Sequence, residues 1–282
     1  MRTDVVKTAA GLPAGLVMAA HAACFWPVWR WYVERLDDGS DEPWALVALL
    51  AAVASSWPRR GWRWNARDPL LLAAAAFTLL YALLAPFAPP LPRALAAVAA
   101  LGCSWISVGG ARDKLPAVIC LLLLSVPVIA SLQFYVGYPL RTITAAGATG
   151  LLNAFGGDVV RMGTSMVEHG RTVVVDAPCS GVRMLWTGSL LCTVLAAMRA
   201  RLCWRAMLGS LAFVLPVVLA ANSLRAALLF LIETADSAPP AWLHPAVGMF
   251  TFALVGLLLL ASEHLQTSGR RTRRAPRFAV SP

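Results

Sequence analysis

Lysine is almost missing from this chain. Only Lys7 and Lys114 are present, and arginine supplies the rest of the 24 basic residues. Charge of either sign is scarce: charged residues make up 13% of the 282 positions, against roughly a quarter in a soluble domain. No polar stretch is long enough to be a soluble domain. Pairs of the CxxC type are absent, so the six cysteines at 24, 103, 120, 179, 192 and 203 give no zinc pattern, and no metal or cofactor is expected. No nucleic-acid motif and no convincing internal repeat is visible.

What fills the chain instead is apolar: 59% of residues, gathered in runs of membrane-span length. The expected fold is all-α, a polytopic transmembrane bundle. Eight spans are read at about 9–29, 43–57, 69–88, 95–109, 115–135, 182–198, 206–232 and 245–262. The first is the alternative of a signal peptide, but it is longer than a typical apolar signal core and lacks a clear small-x-small cleavage site. Pro127 interrupts the fifth span, which a helix bundle tolerates.

The net charge of +10 fits this reading without nucleic acid, because arginine gathers in cytoplasmic loops. Arg59, Arg60, Arg63 and Arg67, then Arg112 and Lys114, then Arg199, Arg201 and Arg205, and finally the Arg270–Arg277 tail all fall on one side of an eight-span topology. The acidic turn at 34–43 and the turn at Pro89, Pro90 and Pro92 fall on the other. Both termini are then cytoplasmic. Three regions follow: variable spans over 1–114, a core over 115–264 that includes an extracytoplasmic loop at 137–178, and a basic tail over 265–282. Within the loop, Thr142–Phe155 reads as an amphipathic surface helix. The β-branched run Thr172–Val175 reads as a strand or hairpin arm leading toward Cys179.

Chemistry concentrates at three places. Asp176-Ala-Pro-Cys-Ser-Gly-Val-Arg183 sets a thiol, Cys179, at the outer start of the sixth span. Arg225 lies within the seventh span, roughly 10 Å below its outer end. His244 opens the eighth. Each has a plainer reading: Cys179 as a small buried residue, Arg225 as a snorkelling side chain, His244 as a mark of a helix start. A charge inside an apolar span is nevertheless costly, and such residues are functional by default. Asn222 and Arg225 share a helical face, as do Cys179 and Arg183 if the helix has begun there. Ser180 or Gly181 suits an N-terminal cap. Asp176 and Glu233 are candidate partners for the arginine or histidine, and His169 reads as a loop residue.

Together the three types suit acyl transfer. A thiolate attacks, helped by a helix N-terminus and nearby cations that lower its pKa. A histidine takes and returns the proton. An arginine holds the oxyanion.

Ala177-Pro-Cys-Ser-Gly-Val-Arg183, Ala221-Asn-Ser-Leu-Arg225 and His244-Pro-Ala-Val-Gly248, in this order and spacing, resemble the exosortase/archaeosortase family over about residues 115–262. Pro178 stands where a small residue such as alanine is more often expected. The resemblance implies a bacterial inner-membrane cysteine peptidase or transpeptidase with its site facing the periplasm. Its partners would be membrane lipid and exported proteins bearing a C-terminal sorting signal: a motif such as Pro-Glu-Pro, one transmembrane helix and a basic tail. Cys179 would be the nucleophile, Arg225 the partner of the oxyanion or a substrate carboxylate, and His244 the base or acid. Arg183, Asn222, Ser180 and Asp176 would support or bind. Two other readings stand beside it: a non-enzymatic transporter or assembly factor of an export system, and an acyltransferase that carries a lipid or coenzyme A thioester.

Overall fold

The computed structural model describes residues 14–37, 44–57, 68–109, 111–199, 202–235 and 240–273. The expected basic N-terminus, the arginines at 59–67, most of the 34–43 turn, Asp236 and the end of the tail lie outside the described residues. The chain divides into two compact units, 1–127 and 128–282.

The first unit is helical: α1 (Ala14–Ala23), α2 (Trp26–Asp37), α3 (Trp44–Ser55), α4 (Pro69–Leu84), α5 (Pro90–Ser107) and α6 (Leu115–Leu124), with a 3-10 turn at Arg112–Lys114. The expected first span is therefore two helices, broken at Cys24 and Phe25. The proline-rich turn before the fourth span is shorter than its sequence suggests, because Pro90 is already helical. Proline costs nothing in a first turn, where its missing N–H would have no partner. The buried stripe of α5 is almost all small (Ala94, Ala97, Ala100, Gly102, Ser104), which lets neighbouring helices approach closely. Two polar groups that would be costly in this apolar unit, His21 and Asp68, are matched. The His21 ring hydrogen-bonds Thr78 on α4 at 3.0 Å and Ser104 on α5 at 3.1 Å. Asp68 caps α4 through Leu70 N–H and pairs with Arg112.

The second unit holds α7 (Ile129–Ala154), a three-stranded antiparallel sheet of β1 (Val160–Met162), β2 (Ser165–Glu168) and β3 (Arg171–Val174), then α8 (Val182–Ala197), α9 (Trp204–Glu233) and α10 (Leu243–Arg273). α7 corrects the sequence reading twice. The fifth span does not run through Pro127 but stops at Leu124 and restarts at Ile129. The residues expected to be loop and surface helix then continue that restarted helix to Ala154. The composition misled because Gly137 looks like part of a loop, and Thr144, Ala145, Gly147 and Ala148 like part of a helix lying on the surface. In fact small residues line the contact with α9. A Cβ on Gly147 would come within 2.3 Å of Ser223 Oγ, so only glycine allows this approach. The connection expected as a long loop before α8 shrinks to residues 155–181. The expected strand at Thr172–Val175 is present as β3.

Length sets the membrane reading. Among the described residues, α9 and Leu243–Leu265 of α10 are long and apolar enough to cross a bilayer, and α6 with α7 counts as a third if the interrupted pair is one span. α1, α3, α4 and α8 are apolar but have 10–16 residues, or about 15–24 Å of helix against a hydrocarbon core of about 30 Å.

Two apolar clusters bind the second unit. Met184 and Cys192 of α8 meet Val214, Val218 and Ala221 of α9 and Val255 and Leu259 of α10. Ala148 and Leu152 of α7 meet Met166 of the sheet and Ala226 and Phe230 of α9. At the end of α8 far from Cys179, the Arg199 guanidinium donates to Glu263 of α10 at 2.9 Å, and the Ser210 hydroxyl of α9 donates to the same carboxylate at 3.3 Å. Both charged side chains are about nine-tenths buried. The expected inner turn of free arginines is thus, at Arg199, a clasp across three helices.

A buried ion pair that loses one member leaves a desolvated charge. Glu263→Leu should cost roughly 3–5 kcal/mol, and Arg199→Met with Glu263→Leu should recover most of it. Thermal unfolding in detergent checks this; a single variant melting with the wild type would refute the clasp.

Candidate functional site

Residues 176–181 join β3 to α8 without regular structure, so their backbone must find partners elsewhere. Some are local. Cys179 N–H meets the Asp176 carbonyl and carboxylate, each at 3.2 Å, and Ser180 N–H meets Ala177 C=O at 3.2 Å. The rest come from two side-chain amides on two helices. Gln133 of α7 spans Cys179, donating to Ala177 C=O at 3.0 Å and accepting from the Ser180 hydroxyl at 2.8 Å. Asn222 of α9 donates to Cys179 C=O and to Thr144 Oγ1 of α7, both at 2.9 Å.

A glycine makes room for each amide. A Cβ on Gly137 would lie 2.7 Å from Gln133 Nε2, and one on Gly181 would lie 2.9 Å from Asn222 Nδ2. Gly181 also has φ +85, a left-handed conformation that ordinary side chains avoid. It is the N-cap of α8, and Ser180 Oγ accepts from Val182 N–H at 3.3 Å. Because α8 starts at Val182, Cys179 is not on the helix. It shares no helical face with Arg183, which is exposed in the first turn.

Arg225 lies in α9, eight residues before the helix end at Glu233, which is about 12 Å along the axis. Its guanidinium lies across Gly248 of α10, where a Cβ would be 3.7–3.8 Å from its atoms. Gly248 is one turn beyond His244. Arg225 Nε is buried without a hydrogen-bond partner, as is Asn222 Oδ1, and Asn222 is 1% exposed. His244 is exposed in the first turn of α10. No hydrogen bond joins it to Cys179 or Arg225 among the described residues. Asp176 turns to the Cys179 N–H rather than to the arginine or histidine. His169 sits in the β2–β3 turn with φ +49.

The thiol corrects the expectation of a lowered pKa. Burial raises it most, a hydrogen bond to the Asp176 carboxylate raises it further, and the Arg225 charge pulls it down. The charges of Asp176 and Glu233 add to the rise, and the thiol is pushed up to about 11. At neutral pH it stays protonated, so attack by this sulfur needs a base that takes the proton during the step. No group of three or more His, Cys, Asp or Glu that could hold a metal occurs among the described residues.

Against known families, a model described as transmembrane exosortase matches residues 13–261. The chain belongs to the transmembrane exosortase family. The family is generally one of membrane transpeptidases or cysteine proteases acting on exported proteins with sorting signals. No curated protein and no solved structure matches this exosortase. The match takes in most of the chain, including α1 to α5, which lie outside the 115–262 stretch that carries the motif resemblance.

Gln133 and Thr144 had no place among the expected site residues of this exosortase. Their signal was weak: one amide and one hydroxyl in a segment read as span end and loop. Gln133→Ala should speed amide exchange in residues 177–181 about tenfold, since it removes roughly 1 kcal/mol of hydrogen bonding at each contact. Mass-detected exchange tests this, and unchanged protection would remove Gln133 from the site.

For the thiol, iodoacetamide labelling of Cys179 should rise with pH toward a midpoint near 11. Asp176→Asn removes a cause of the rise and should move the midpoint down. Arg225→Gln removes the opposing charge and should move it up. A wild-type midpoint at or below that of a free cysteine would contradict this account.

Proposed function

We propose that this exosortase is a cysteine peptidase or transpeptidase that cuts C-terminal sorting signals of Pro-Glu-Pro type from exported proteins, through a thioacyl intermediate on Cys179. The observation that carries the reading is the half-buried Arg225 guanidinium, its buried Nε unpartnered, whose charge reaches Cys179 and which packs one turn from His244.

The chemistry runs from the protonated thiol. His244 takes the Cys179 proton as sulfur attacks the scissile carbonyl. The new oxyanion is met by Arg225, in a desolvated setting where its charge acts strongly. Collapse expels the amine, which receives the proton from His244, and leaves the acyl group on sulfur. Water or an acceptor amine then attacks the thioester, again with His244 as base, and the sulfur leaves as a thiol. Asn222, with its free Oδ1, and Ser180, tied to Gln133, hold the loop during these steps. Arg183, exposed on the first turn of α8, is placed to meet an acidic group of the substrate. Burial and the carboxylates of Asp176 and Glu233 suppress a standing thiolate and its oxidation.

The proposed setting is the inner membrane of a bacterium, with eight passes, cytoplasmic termini and the site at the periplasmic surface. The inner placement of Lys and Arg supports that orientation. So does the position of the 155–181 segment between α7 and α8, which carries little apolar length.

Co-expression with an exported reporter that ends in a Pro-Glu-Pro segment, one helix and a basic tail tests the reading by size shift. Wild type should shorten the reporter, and Cys179→Ala should not. His244→Gln should slow cleavage by about 10²–10⁴-fold, and Arg225→Gln by about 10²–10³-fold. Cleavage that survives Cys179→Ala at equal membrane levels would end the thiol mechanism, and a silent Cys179→Ser in a chain needed for export would favour a non-enzymatic role.

A further inference from the structure

The sheet that leads into the Cys179 loop has an unused edge. His169 and Gly170 both have positive φ, +49 and +77, which makes the β2–β3 connection a two-residue turn of the primed type. Such a turn is flanked by a hydrogen-bonded pair, here Glu168 and Arg171. Pairing then alternates along β3, so Arg171, Val173 and Val175 direct their N–H and C=O groups at β2. The bond from Val175 N–H to Thr164 C=O, 2.9 Å, fits that phase.

Thr172 and Val174 therefore point their N–H and C=O groups away from the sheet. β3 is an edge strand in the order β1-β2-β3, and both residues are exposed, Val174 at 55%. The sheet's inner face is anchored: Met166 is 1% exposed and packs with Ala148 and Phe230. Among the described residues no hydrogen bond meets the outward groups of Thr172 and Val174, so the edge is a row of backbone groups open to pairing. Val174 and Cys179 are five positions apart, a reach of at most about 18 Å.

We infer that β3 receives the substrate's extended segment as a fourth strand, pairing backbone to backbone with Thr172 and Val174, and so threads the scissile bond toward Cys179. This rests on the peptidase reading and names how its substrate is held. The occupant is an extended peptide on the outer side of a transmembrane helix. Strand addition to a sheet edge takes its affinity from main-chain bonds and its selectivity from alternate side chains. An exposed edge is otherwise a liability that proteins avoid, and the charge on β3, Arg171, stands at its start beside the turn. On β3 the outward positions are Thr and Val. The side chains of Val174, Met162 and Val160 form an apolar outer face, 55–68% exposed, that an added strand would extend.

Proline tests this selectively, because on an edge strand it removes only an outward N–H. With the full chain in membranes and the same Pro-Glu-Pro reporter, Thr172→Pro and Val174→Pro should each lower kcat/KM about tenfold, the worth of one hydrogen bond left unmade. Arg161→Pro places the same lesion on the outward N–H of β1, at the opposite edge, and should cleave as wild type does. Wild-type cleavage by both β3 variants would overturn the inference.

A second arm does not need turnover. In the Cys179→Ala chain, Val174→Cys is oxidised against single cysteines walked through the reporter segment, with the Val174 chain as blank. Cross-links at every second reporter position support strand pairing. None, or links spaced by three or four, overturn it. If wild type leaves the reporter whole while these alternate cross-links form, the docking stands and the peptidase reading falls. Cleavage without cross-links gives the reverse.

Discussion

Two carboxamides hold residues 176–181, which join β3 to α8 without regular structure. Gln133 takes the Ala177 carbonyl and the Ser180 hydroxyl, and Asn222 takes the Cys179 carbonyl. A buried carbonyl left without a partner costs several kcal/mol, so the loop geometry is dictated by where these amides are. They are fixed in turn by helix packing: Asn222 is bonded to Thr144, and Gly147 lets α7 and α9 close on each other. The position of the sulfur thus depends on the α7–α9 contact more than on residues 176–181 themselves.

The same closeness sets the electrostatics. Burial makes the thiolate costly, and nearby carboxylates make it costlier, while Arg225 offsets only part of this. A group whose ionised form is so disfavoured is quiet until a base and an oxyanion partner act together. Arg225, with a buried Nε that has no partner, is an uncommon expense inside an apolar unit. It is easiest to understand as a donor held ready for a charge that arises elsewhere.

Far from the loop, Arg199, Ser210 and Glu263 join the ends of α8, α9 and α10. These are the three elements that follow or carry Cys179, Arg225 and His244. Strong contacts at both ends of the helices leave little freedom for them to slide, and a site assembled from three separate elements needs that rigidity.

The apolar runs and their breaks by themselves determined that the chain is helical and membrane-borne. The spacing of the cysteine, arginine and histidine motifs determined its family resemblance, and β-branching at Thr172–Val175 determined a strand. These are local properties, written in consecutive residues. Only the tertiary structure decided that Gly137 to Ala154 continue α7 and pack on α9 instead of forming a loop and a surface helix, because small residues reveal a packing face only when a neighbour is pressed against them. It alone decided that Gln133 grips the loop, that Arg199 is paired with Glu263, and that the Cys179 thiol sits above its usual range instead of below it. Burial and hydrogen bonding between distant residues set those outcomes, and no pattern in consecutive residues records which side chains will meet.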